Sequence, residues 1–463
     1  MRFIATGLFA LVLLTGCAPY KYLGAPVSPL VLAHTLQARS LDDHDLRSWM
    51  KQAAEYQPPS WPLQTWDLNA LTLAAFYFNP ELDVARANAT AADAAIRTAA
   101  MKPNPSVSVG PGYESGPQGP FTMAFNFSLP IETAGKRGYR VANATHLSLA
   151  SRIQLAQTAW SVRSRVRSAL IDYLFAAQAV GSLRNEEALL SSYVDLIGRR
   201  FRAGEIPLPE LTTARIELTA RHQALSTAEG QVQTTHAALA AAIGIPESGL
   251  NGKTLVWPDA KQPPSPAKLP PQAMREAAVE NRLDVQRALE QYRAAVSRLQ
   301  LEVARQYPDI DLGPGYSYQE GANFIELSLS TVLPLRNRNQ GPIAEAEAAR
   351  KVAGAQLLAA QSAVIADTDK ALRQYNTVYA TLEVADNSVG QLEGQQQAAV
   401  RVLQSGETDQ LIVVAAQLQT SVAERARLDA LHQAQLTLGL VEDALQRPIS
   451  PTRTPALPAS APR

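Results

Sequence analysis

Two hydrophobic periods divide this chain, and each of them occurs twice. Phe121-Thr122-Met123-Ala124-Phe125-Asn126-Phe127-Ser128-Leu129 alternates without error, with Phe121, Met123, Phe125, Phe127 and Leu129 on one face and Thr122, Ala124, Asn126 and Ser128 on the other. A period of two is that of a strand. Its partner is Ser106 to Tyr113, with Val107, Val109, Pro111 and Tyr113 on the apolar face, across a turn at Gly116-Pro117-Gln118-Gly119. Ile310, Leu312, Pro314, Tyr316 and Tyr318 and then Ile325, Leu327, Leu329, Thr331 and Leu333 form a second pair around Glu320-Gly321-Ala322-Asn323. The other period is seven. From about Gly135 to Ala203, interrupted only by Gly181 and Gly198, Leu155, Val162, Ala169, Ala176, Leu183, Leu190 and Ile197 form one row, and Val166, Tyr173, Val180, Val194 and Phe201 a second. These are coiled-coil positions, and a helix of that length runs about 100 Å. A counterpart from about Pro342 to Gln404 carries Leu358, Ile365, Leu372 and Tyr379 in one row. Each long helix is expected to turn at a glycine, Gly204 or Gly406, into a return helix, about Pro209 to Ile243 and about Gln410 to Gln446.

The recurrence is a duplication. Leu82-Asp83-Val84 returns as Leu283-Asp284-Val285, Gly110-Pro111-Gly112-Tyr113 as Gly313-Pro314-Gly315-Tyr316, Leu129-Pro130 as Leu333-Pro334, and Gly204-Glu205 as Gly406-Glu407, at offsets of 201, 203, 204 and 202. A unit this long is a duplicated half-protein and not a short solenoid repeat. The chain therefore divides into a signal peptide at 1–16, an N-terminal segment at 17–67, a first repeat at 68–244, a linker rich in Pro and Gly at 245–271, a second repeat at 272–446, and a Pro-rich tail at 447–463 without periodicity. The expected class is mostly α with a small β part, built on long antiparallel helical hairpins.

The first residues bear on compartment. Met1-Arg2, an apolar run from Phe3 to Leu14, and Leu14-Thr15-Gly16-Cys17 read as a secretory signal. Small residues before a cysteine resemble the bacterial lipobox, which implies cleavage before Cys17 and lipidation there, palmitate included; Ala18 then favours sorting to the outer membrane. The alternative is an ordinary signal with an incidental cysteine. Cys17 is the one cysteine of the chain, so no disulfide framework exists. Lys+Arg 42 against Asp+Glu 42 leaves no net charge, which gives no sign of a nucleic-acid partner. Beyond the signal no apolar run reaches the length of a membrane helix, so the mature chain can span a bilayer only with strands.

Those strands suit the purpose. Large apolar side chains on one face and small polar ones on the other is the pattern of a lipid-facing barrel strand, and each run is roughly as long as a tilted transmembrane strand needs to be. Phe121, Phe125, Phe127, Tyr316 and Tyr318 are the expected lipid-facing residues. Two hairpins of a soluble sheet would show the same alternation. Four strands cannot close a barrel, however, and an open edge cannot sit in lipid, so several protomers must share one.

Reactive chemistry is absent from the pattern. The six histidines, 34, 44, 146, 222, 236 and 432, are far apart and no metal-ligand spacing appears. No nucleophile elbow, phosphate loop or dinucleotide fingerprint is present. No enzyme, cofactor or resident metal is expected. Asp42-Asp43-His44-Asp45 reads as a helix start or a solvated face.

Signal, lipobox, duplicated strand hairpins and duplicated long helical hairpins together resemble the TolC-like outer membrane factor family, over about Leu68 to Gln446. The resemblance implies a homotrimer with a 12-stranded transmembrane β-barrel, four strands per protomer, continued by a trimeric α-barrel. It implies a passive duct in outer membrane lipid, served by a periplasmic adaptor and an inner-membrane RND-type pump. Family members carry a Gly, often an acid six positions on, and an Ala ten positions on; Gly204, Glu210 and Ala214 fit, as do Gly406 and Ala416, with Ile412 in the middle place. Gly204, Gly406, Ala214 and Ala416 are thereby expected at the tip turns and the adaptor contact. Glu205, Glu210, Glu407 and Asp409 are expected to form acidic rings at a cation-selective aperture, or else to favour the return helices through their dipoles. Asn104-Pro105, Leu129-Pro130-Ile131-Glu132 and Gly135-Lys136-Arg137-Gly138 resemble the heavy-metal-exporting branch. A drug-efflux or type I secretion duct is the alternative within the family, and a periplasmic coiled-coil scaffold lipoprotein the alternative outside it.

Overall fold

The computed structural model describes residues 24, 26–53, 56, 58, 60–113, 115, 121–319 and 321–449. The signal segment, Cys17, the turn at 116–119, Glu320 and the tail from 450 lie outside the described residues. The chain forms two units. In the first, up to Arg39, Pro29–Gln37 is a helix (α1) with proline at its first position, where the missing N–H costs nothing.

The second unit starts with α2 (His44–Ala53), whose Leu46, Trp49 and Met50 are buried. The helix begins at His44 as its acidic start predicts, with Asp43 accepting from the Asp45 N–H at 2.8 Å. β1 (Thr65–Trp66) leads into α3 (Leu68–Phe78), capped by Asp67 and buried on almost every side, and α4 (Pro80–Ala100), capped by Asn79. β2 (Ser106–Tyr113) and β3 (Phe121–Ile131) precede α5 (Lys136–Arg202), 67 residues unbroken through Gly181 and Gly198, and its return helix α6 (Leu208–Ile243). The linker lays β4 (Thr254–Leu255) parallel to β1. The second half repeats the plan with α7 (Pro271–Asn281), α8 (Leu283–Ala304), β5 (Ile310–Gln319), β6 (Ala322–Thr331), α9 (Gln340–Gln404, 65 residues) and α10 (Gln410–Leu445).

The repeat reaches the backbone angles. Gly135, Gly204 and Gly244 are left-handed at φ 71°, 79° and 92°, and Asn339, Gly406 and Gln446 take the same places at 62°, 80° and 48°. Each pair flanks the same helix ends, so the duplicated segments start, reverse and stop alike. Gly244 has a further reason to be glycine. A Cβ there would lie 2.9 Å from the Phe78 carbonyl oxygen and 3.0 Å from Asn79 Cα, whereas one at Gly204 would meet nothing within 4 Å. Gly204→Ala is expected to cost about 1 kcal/mol for its backbone alone. Gly244→Ala adds overpacking of about 1–3 kcal/mol. Equal losses in thermal denaturation would refute the packing argument.

The expected heptad rows of α5 hold: Val162, Leu183, Leu190, Ile197, Val166 and Val180 are buried, and the rest of both rows is half-buried. The row assigned to α9 does not. Leu372 is buried and Tyr379 half-buried, but Leu358 and Ile365 are exposed, and the buried stripe instead runs through Ala346, Ala353, Val364, Thr368, Ala371, Leu372, Tyr375, Leu382 and Val389. The physical reason is neighbourhood. α5 is packed by α3, α4, α6, α8 and α10, while α9 is packed by α7, α8 and α10, so one of its apolar faces meets no other element among the described residues.

The linker crosses these helices as an ordered strap. Tyr375 donates to the Pro264 carbonyl, Gln435 Nε2 donates to the Ala260 carbonyl at 2.9 Å, and the Arg167 guanidinium lies over the Trp257 ring at 5.1 Å.

Candidate functional site

The two strand hairpins are one sheet. Its order is β2-β3-β5-β6, antiparallel throughout, so the first and second repeats join through β3 and β5. That join leaves no mark in strand alternation. Register then decides the faces. Val109 stands opposite Phe125, which stands opposite Tyr316, which stands opposite Ile325; the next two rows, Val107 with Phe127 and then Leu129 with Leu312 and Leu329, share the same face. Phe121, Phe125 and Tyr316 are exposed, and Phe127 and Tyr318 half-buried, all five on this single apolar face. The opposite face presents Ser106, Ser108, Gly110, Thr122, Ala124, Asn126, Ser128, Gly315, Ser317, Ser328 and Ser330 together with the carboxylates Asp311 and Glu326, with Phe324 as its one aromatic exception. β6 ends at Thr331, so Leu333 falls just past the strand. β2 and β6 are edge strands with one backbone side unpaired.

At the far ends of the helical hairpins the chain reverses through Gly204 and Gly406. The Glu205 N–H closes the first turn on the Arg200 carbonyl at 3.0 Å, and the Glu407 N–H closes the second on the Val402 carbonyl at 3.1 Å. Asp409 is the N-cap of α10, accepting from the Leu411 N–H at 2.9 Å, and it also pairs with Arg200, whose Nε lies 3.9 Å from Glu205. Arg200 thus links the two tips across 209 residues of sequence. Glu205, Glu210 and Glu407 are exposed, and Glu210 and Glu407 have no ion-pair partner among the described residues. Of the residues expected at a contact surface, Gly204 and Gly406 are exposed, Ala416 is half-buried, and Ala214, at 4% exposure, is buried on the same helix as buried Leu211. A small residue there lets the neighbouring helix approach.

Buried charge is what the sequence reading missed. Glu442 holds Arg163 and Arg167 in the helix core, and Glu186, fully buried, accepts from Arg425 at 2.8 Å and pairs with Arg221 at 3.0 Å. Burial pushes the Arg167 guanidinium down from its ordinary range, opposed by Glu442. Arg163 and Arg167 lie four apart, beside Val162 and Val166 of the heptad rows; basic residues so placed were the available signal. Four histidines each meet one carboxylate, His146 with Glu290, His222 with Glu187, His236 with Glu247 and His432 with Asp172. Among the described residues no group of three or more metal-ligating side chains could hold a metal ion, and no helix is long and apolar enough to cross a membrane.

The fold is one that the chain shares with outer-membrane channels of known structure. The chain is similar to CusC, a transmembrane channel, with a TM-score of 0.65 at 16% identity over 93% of this chain and 99% of that one, and to the outer membrane protein VceC of Vibrio cholerae, with a TM-score of 0.63 at 19% identity over 83% and 97%. At the level of sequence, residues 75–245 match the family model described as outer membrane efflux protein. The chain is also 26% identical, over 277 residues and 59% of its length, to the cobalt-zinc-cadmium resistance protein CzcC of Cupriavidus metallidurans, and the match spans 63% of that relative. The resemblance to outer membrane efflux proteins therefore stands on sequence and fold together.

Proposed function

We propose that this chain is the outer-membrane component of a tripartite efflux system, a passive trimeric duct. The observation that carries the reading is the sheet: one continuous apolar face, one mainly polar face that carries Asp311 and Glu326, and two unpaired edges. Such a sheet is stable in lipid only when β6 of one copy pairs with β2 of the next, and three copies give twelve strands. The helical hairpins then continue the wall into the periplasm. Metal cations are the cargo this reading favours, supported by the likeness to a cobalt-zinc-cadmium resistance protein and by the short motifs of the heavy-metal branch. A duct need hold no cargo, and transport energy comes from an inner-membrane RND-type pump through a periplasmic adaptor. Cys17 adds a lipid anchor. The reading includes no catalytic step. Purified protein that requires detergent, runs as a trimer and conducts ions in a planar bilayer is the expected result; a soluble, non-conducting rod would end it.

At the tips, Glu210 and Glu407 are the acids free to act on permeating ions. Replacing both by Gln is expected to lower cation selectivity, read as a smaller reversal potential in a salt gradient, with stability changed by less than about 0.5 kcal/mol. Asp409 behaves differently. Asn can keep its cap, but the lost pair with half-exposed Arg200 removes up to about 1 kcal/mol. Unaltered selectivity in the Glu210/Glu407 variant would leave these acids only a helix-dipole role.

A further inference from the structure

We propose that the helix-side rim of the sheet is a docking site for anionic phospholipid headgroups, with Arg336, Arg338 and Lys102 as its phosphate ligands. This rests on the barrel reading above. The antiparallel register places Ser106 opposite Ser128 and lines up Ile131, Ile310 and Thr331, so the segments before β2 and β5 and those after β3 and β6 meet along one rim. Charge on that rim is sorted. Its acids are engaged within the protein: Glu132 is held by Arg140 at 2.6 Å, and Asp309 by Lys136 at 2.7 Å and the Thr133 N–H at 2.9 Å. Lys102, Arg336 and Arg338 are exposed, and their side chains have no ion pair or hydrogen bond among the described residues. Among the described residues, the opposite ends of the strands, at 111–113, 121–123, 316–319 and 322–324, carry no Lys or Arg.

The basic groups also do not stand alone. Met101, Tyr307, Val332, Leu333 and Leu335 are exposed in the same rim segments and give the basic groups an apolar margin. A soluble anion has no use for that apolar margin. A phospholipid does, because its acyl chains lie against the apolar face while its phosphate reaches the guanidinium groups, which match phosphate geometry. Aromatic and basic side chains at this level are how a membrane protein fixes its depth. A net negative headgroup is favoured over a zwitterionic one because the rim's exposed basic groups, Arg137 as well as Lys102, Arg336 and Arg338, have no carboxylate partner among the described residues. In the assembled barrel β6 of one copy adjoins β2 of the next, which brings Arg336 and Arg338 toward the neighbour's Lys102 and gives three equivalent sites.

The test uses the full-length trimer in detergent with equimolar phosphatidylglycerol and phosphatidylcholine, and native mass spectrometry reads the retained lipid. The wild-type protein is expected to retain phosphatidylglycerol in preference. R336Q/R338Q should lower that preference by roughly fivefold for each charge removed, while R336K/R338K keeps most of it. Equal retention of both lipids by the wild type, an unchanged preference in the Gln variant, or displacement of the lipid by millimolar inorganic phosphate would overturn the proposal. Conductance in bilayers of either lipid separates this from the barrel reading: channels from a protein that retains both lipids equally refute the rim site alone, and absence of any channel in both bilayers removes both.

Discussion

Phe125→Arg is expected to abolish most assembly, and Asn126→Arg, one residue on, is not. Phe125 is the fifth residue of the eleven in β3, a central strand flanked by β2 and β5, and its register partners are Val109 and Tyr316. An arginine there lies near mid-bilayer among apolar neighbours, with no strand end within reach for its guanidinium to find water. The cost at that depth is about 2–4 kcal/mol per copy, and a trimeric barrel carries it three times. Asn126 points to the other face, opposite Ser108 and Gly315, where a long polar side chain extends into the aqueous lumen. Its replacement should change stability by less than about 0.5 kcal/mol while lowering conductance and cation preference. The measurement is the yield of detergent-resistant trimer on refolding into vesicles across a urea series. Equal yields for the two variants would show that the faces are misassigned or that the strands never enter lipid.

What the sequence made legible follows from what is periodic. Strand faces could be read because alternation fixes which side chains share a side, and every expected lipid-facing residue from Phe121 to Tyr318 lies on one face. Helix lengths and reversals could be read because glycine marks the left-handed residue at each tip. Periodicity fails where more than one partner competes for a helix. Leu358 and Ile365 belong to a true apolar row, but one that no other element among the described residues covers; a row shows that a face wants burial and not what buries it. Pairing over long separations is also invisible, as with Arg200 and Asp409 at the tips or β3 against β5. Buried ions are the third omission, because a charged residue beside a heptad row looks the same whether it is solvated or held by a carboxylate from the other half of the chain.

That last class yields the largest stability change expected here, from Glu442→Gln. Glu442, Arg163 and Arg167 have side chains 3%, 6% and 4% exposed, and Glu442 Oε2 lies 3.2 Å from Arg163 Nη1 and 3.2 Å from Arg167 Nε. Two guanidinium groups share one buried carboxylate. Their remaining contacts are weaker: Arg167 donates to the Gln435 carbonyl at 2.9 Å and lies over Trp257, and Arg163 lies over the Trp160 ring at 4.8 Å. Gly439 leaves the space Arg167 fills, since a Cβ there would collide with the guanidinium. Glutamine preserves the shape and removes the charge, which leaves two like charges in the core with only Asp443 nearby. Breaking a buried pair in this way costs about 3–5 kcal/mol. Because Arg163 and Arg167 lie on α5 and Glu442 on α10, the loss falls on the contact between the two repeats. Replacing all three by Leu or Met removes the charges together and should restore stability to near that of the parent, since an ion cluster returns little beyond its own desolvation. Chemical denaturation followed by circular dichroism measures both. A Glu442→Gln protein as stable as the parent would mean that the arginines reach water, and a triple variant as damaged as the single one would mean that packing, not charge, holds this site.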